Sequence, residues 1–108
     1  MTDLFEPIQK AQIATIFYYM RIEFYKNVAI RGLNEEEVST LILNSLDFLN
    51  FPQRYKGYAR LRITRVLLRL NYLIPEKIIN AEERLNLIKQ FLDSEARKRD
   101  LSHEDLIL

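Results

Sequence analysis

Catalysis requires a nucleophile, an acid–base pair or a bound metal, and this sequence offers few side chains for any of them. Its single histidine, His103, has no second histidine and no cysteine with which to share a metal. The serines Ser39, Ser45, Ser94 and Ser102 have no base at a spacing that would activate them. Glu35–Glu37 and Glu82–Glu83 are runs of neighbouring carboxylates. At the start of a helix such runs complement the positive pole of the dipole, a commoner role than sharing a proton. Gly32 and Gly57 stand alone, so no glycine-rich loop cradles a phosphate. These residues predict a protein that is not an enzyme and that carries no metal and no cofactor.

The side chains that stand out are cationic. Between Phe48 and Pro75 there is no acidic residue, whereas Arg54, Lys56, Arg60, Arg62, Arg65 and Arg69 give a local charge of +6. Of the chain's 16 basic residues, 10 remain outside this segment, against 15 acidic ones, for a net charge of +1. Arginine presents a planar fork of donors that suits phosphates and carboxylates and stacks on rings. At about 100° per residue, Tyr58, Arg62, Arg65 and Arg69 fall on one stripe of a helix. Leu61, Leu68 and Tyr72 form an apolar patch beside it. Arg54, Lys56, Tyr58, Arg62, Arg65 and Arg69 are therefore the candidate contact residues for an acidic protein or a nucleic acid. Leu61, Leu68 and Tyr72 would serve a protein partner. Tyr55 and Tyr58 could stack on unpaired bases. The alternative is a solvated face whose arginines pair with Glu82, Glu83, Asp93 or Glu95.

The elements that must position these residues read as helices. Two glycines and three prolines in 108 residues are too few for a turn-dense β fold. A first helix is expected from about Glu6 to Arg31, with Pro7 in its first turn and Gly32 past its end. Ile13, Ile16, Phe17, Met20, Phe24 and Val28 form its core face. A second apolar set, Ala11, Tyr18, Ile22, Tyr25 and Ala29, lies alongside it. From that set, Tyr18, Ile22 and Tyr25 are candidates for a two-fold interface between copies. A second helix is expected after an Asn34 cap, with Glu37 completing a capping box, and ends near Asn50 ahead of Pro52. A third runs from about Gly57 to Leu73, with Ala59, Ile63, Val66, Leu67, Leu70 and Leu73 facing inward. A fourth runs from near Pro75 to about Arg99, with Ile78, Ile79, Leu85, Ile88, Phe91 and Leu92 inward.

Together these predict an all-α fold, a compact and mostly antiparallel bundle of about four helices over residues 1–98. Residues 99–108 read as a tail or a short extra turn, with Ser102 and Asp105 as a weak cap ahead of Leu106, Ile107 and Leu108. The connection from Asn50 to Lys56 is too long for a helix-turn-helix. The longest apolar run, Ile13 to Met20, is far shorter than a membrane span. No signal sequence is legible and there is no cysteine, so the expected location is cytoplasmic. The function these features suggest is that of a small regulatory or binding module. It would work through the basic helix, or as a homodimeric adaptor or inhibitor.

Overall fold

The computed structural model describes residues 7–78 and 80–102. Among them are four α-helices and no strand: α1 (Pro7–Arg31), α2 (Glu35–Asn50), α3 (Gly57–Tyr72) and α4 (Ala81–Lys98). A 3-10 turn, Pro52–Arg54, separates α2 from α3. No helix is long and apolar enough to cross a membrane among the described residues. The cap proposed at Ser102 and Asp105, His103 and the terminal Leu106, Ile107 and Leu108 lie outside the described residues, as does Ile79.

Local chemistry sets most helix ends. The Gly32 N–H reaches the Ala29 carbonyl and the Leu33 N–H reaches that of Val28, both at 3.1 Å. This is a Schellman closure, and it requires the left-handed φ of 65° that Gly32 adopts. Asn34 opens α2 through a full capping box. Its side chain accepts from Glu37 N at 2.8 Å, and Glu37 accepts from Asn34 N at 3.1 Å. The same closure ends α4 without glycine. Asp100, at φ 57°, takes the left-handed position, and Leu101 N reaches Ala96 O at 2.9 Å. Arg99 and Leu101, placed in the expected tail, are thereby held against the bundle; Leu101 packs on the core.

The start of α4 differs from the expectation. It begins at Ala81 and not near Pro75, because Asn80 caps it by accepting from Glu82 N (2.9 Å) and Glu83 N (3.2 Å). The stretch between α3 and Asn80 is instead a folded connection gripped by Arg84. That guanidinium donates to the carbonyls of Asn71 (2.8 Å), Pro75 (3.1 Å) and Ile78 (2.8 Å), and to Asn71 Oδ1 (3.0 Å).

The core joins all four helices. Ile16, Met20 and Phe24 meet Val38, Leu41, Ile42 and Leu46, then Val66 and Leu70, then Leu87, Ile88, Phe91, Leu92 and Ala96. Phe91 lies at the centre, edge-on to Phe17 (6.1 Å) and Phe24 (6.2 Å). Glu35 meets Arg99 at one end of the α2–α4 pair, and Leu49 and Leu85 line a common groove at the other, so these helices are antiparallel. Phe17 and Phe24 on Phe91, with Tyr25 on Glu95, show that α1 runs in the same direction as α4. Two expected core residues face out: Ala59 and Leu85 are exposed. Ala59 borders an open groove between α2 and α3, and the inward position on α4 goes to Leu87, buried beside Ile88.

Candidate functional site

The basic segment folds so that its cations divide into two groups. Arg54, Arg60 and Arg69 are engaged inside the chain. Arg54 pairs with Asp47 at 3.0 Å and lies over the Phe51 ring. Arg60 donates to the Pro52 carbonyl at 2.9 Å and covers Phe48, tying the 3-10 turn to α3. Arg69 pairs with Glu23 of α1 at 3.0 Å. Arg54 and Arg69 thus find acids on α2 and α1. None of the three pairs with Glu82, Glu83, Asp93 or Glu95, the α4 partners considered above. Lys56, Arg62 and Arg65 form no ion pair among the described residues; Arg62 lies 5.9 Å over the Tyr58 ring.

Of the uncommitted cations, Arg65 shares the outward face of α3 with apolar side chains, while Lys56 precedes the helix. Tyr58 is 72% exposed, Leu61 45%, Leu68 53% and Tyr72 85%. Exposed Arg65 stands between the two leucines. Ile63, Val66 and Leu70 hold the opposite side of the helix in the core. Four large apolar side chains at such exposure on one helix stripe form a contiguous apolar surface rather than scattered single residues. At its edge, half-buried Arg62 lines an open groove of about 380 Å³ with Asn34, Glu36, Glu37, Thr40 and Asn44.

Tyr55, expected to stack on a base, is instead buried. Its hydroxyl donates to Asp47 at 2.8 Å and its ring meets Phe48. Burial and that donation to a carboxylate raise its pKa. The residue closes the turn between α2 and α3, so Tyr58 alone keeps the proposed stacking geometry.

The candidate interface on α1 is also divided. Tyr18 and Ile22 are half-exposed. Tyr25 is turned inward, where its hydroxyl donates to Glu95 at 2.6 Å and accepts from Arg99 at 3.1 Å. Its pKa is raised, by burial first and by Glu95 second. Its hydroxyl is thus engaged in the chain's own packing.

Glu95, expected on a solvated face, is instead buried. It is 2% exposed, yet it accepts from Tyr25 and Lys98 (3.2 Å) and pairs electrostatically with Arg21, whose Nε lies 3.8 Å away without a hydrogen bond. A signal existed: Glu95 follows Ile88 and Leu92 at heptad spacing, inside the apolar face of α4. Every partner of this carboxylate is a donor already fixed in the chain, which makes it a structural hub.

No protein-family model matches the chain, and neither a curated protein nor a solved structure matches it significantly.

Proposed function

We propose that this chain is a small non-enzymatic, cytoplasmic binding module that contacts an acidic protein through the outward face of α3. One observation carries the reading: Tyr58, Leu61, Leu68 and Tyr72 are exposed on one stripe with Arg65, half-buried Arg62 lies at its edge, and neither arginine has an acidic partner among the described residues. Apolar groups gain from covering by a protein surface, and the arginines favour one that brings carboxylates. A photo-crosslinking phenylalanine derivative placed at Tyr72 should trap a protein in cells of the source organism. The Arg62→Glu/Arg65→Glu variant should lose that adduct. A control at exposed Gln90 of α4 should trap nothing comparable. Equal adducts at both positions, or none at Tyr72, would remove the reading.

Nucleic acid is the alternative partner, favoured by the exposed rings of Tyr58 and Tyr72. It suffers from the engagement of Arg54, Arg60 and Arg69, which leaves three cations for phosphates. Fluorescence anisotropy with single- and double-stranded DNA and RNA decides it. Binding that falls steeply with salt and disappears in the double variant would put nucleic acid in the protein's place.

Self-association is a second reading, favoured by the face of α1. Ala11, Thr15, Tyr18, Ile22 and Ala29 follow heptad spacing and are all exposed. A solution mass of twice 13.0 kDa, reduced to the monomer by Tyr18→Glu/Ile22→Glu, is the expected result for a dimer. A monomer at every concentration up to about that of saturation sinks it.

A further inference from the structure

The exposed stripe of α3 reads Tyr58, Leu61, Arg65, Leu68, Tyr72, at intervals of three, four, three and four residues. It is almost the same in either direction, with Arg65 at its midpoint. Alternation of three and four is the spacing that keeps one side of a helix against a second helix along its length. From Tyr58 to Tyr72 the stripe extends about 21 Å at the α-helical rise per residue. A rod-shaped partner lying on it would cover Leu61 and Leu68, and would also enclose Arg65 between them.

Enclosing Arg65 selects the partner. A guanidinium removed from water without a counter-charge is strongly unfavourable, and exposed Arg65 forms no ion pair among the described residues. A second copy paired through the same stripe supplies no counter-charge. Because the stripe is nearly palindromic, parallel and antiparallel pairings of α3 with itself both bring Arg65 close to Arg65. No acidic residue lies between Phe48 and Pro75 to relieve them. Arg62, beside the stripe, adds to the repulsion.

Resting on the reading of α3 as the contact face, we propose that its occupant is an amphipathic helix of another protein with a glutamate or aspartate at the centre of its apolar stripe. That carboxylate pairs with Arg65. Leucine-sized groups on either side cover Leu61 and Leu68, further carboxylates along one edge face Arg62, and Tyr58 and Tyr72 close the two ends.

The probe is a labelled three-heptad peptide with leucine at the core positions, except for a glutamate at the central one, and glutamates along its edges. It is titrated into the full chain at physiological salt and followed by anisotropy. Two further peptides accompany it: one with the central glutamate replaced by glutamine, and one of the same composition with the heptad scrambled. The glutamine peptide should bind at least about tenfold more weakly, since a single enclosed charge pair is broken. The scrambled peptide should not bind. Arg65→Glu should abolish binding of the first peptide and recover binding of one with a central lysine. Unchanged helical circular dichroism verifies that the variant is folded, and Arg65→Gln, with its smaller change, should give an intermediate loss.

Equal binding of the glutamate and glutamine peptides overturns the proposal, as does equal binding of the scrambled one, which would reduce the face to unspecific charge. No binding of the first peptide also overturns it. If that happens while crosslinking at Tyr72 still traps a protein, the helical partner is wrong and the α3 face stands. If both fail, the face falls with it.

Discussion

Individual side chains in this protein are held by a few buried polar contacts whose removal has calculable consequences. Tyr55 joins the end of α2 to the start of α3 by donating to Asp47. Its raised pKa means that the folded chain holds this proton more tightly than the unfolded chain does. The resulting stability is complete below the ordinary tyrosine value of about 10 and is lost as pH rises through the raised one. Urea denaturation at rising alkaline pH should show stability falling, with a smaller fall in Tyr55→Phe. A pH dependence identical in the two proteins would contradict the linkage. At Glu95 the expected effect is larger in neutral solution. Glu95→Ala removes the acceptor of Tyr25 and the ion-pair partner of Arg21 and Lys98. The loss should be about 1.5–3 kcal/mol in the same measurement, the range for hydrogen bonds to a charged group. A loss within about 0.5 kcal/mol, typical of surface sites, would mean that the hub contributes little.

At the scale of elements, helix ends carry energy that the core does not. Asn34 satisfies an otherwise orphaned N–H of α2, and Glu37 returns the bond. Asn34→Ala should cost about 1 kcal/mol by thermal or urea unfolding, without changing the helical spectrum of the native state. These ends were legible from the amino acids because caps act over three or four residues. Gly32, Asn34 and Glu37 announce a boundary wherever the rest of the chain goes. The beginning of α4 was not legible in the same way. Pro75 is an acceptable helix starter, and only the capture of the connection by Arg84 makes Asn80 the cap.

For the molecule as a whole, the distribution of charge matters more than its sum. The net charge of +1 hides a face of α3 on which Arg62 and Arg65 stand with exposed leucines and tyrosines. Because neither arginine has an ion pair among the described residues, Arg62→Glu/Arg65→Glu should change the unfolding free energy by no more than about 0.5 kcal/mol. That result, checked by urea denaturation, makes any loss of binding attributable to the surface. A larger destabilisation would mean that these arginines serve the fold.

The amino-acid sequence by itself determined the helical class, three of the four helix starts and the inward face of α1. It did so because periodicity and capping are written within a few residues. It also determined that positive charge is concentrated between Phe48 and Pro75. Only the tertiary structure decided which of those cations are available. Arg69 is taken by Glu23, 46 residues away, and Tyr25 by Glu95, 70 residues away. Tyr55 is withdrawn by a turn that folds it over Asp47. Such pairings depend on how helices are laid against one another. That arrangement is set by the collective burial of Met20, Ile42, Leu70 and Phe91, and no local spacing encodes it.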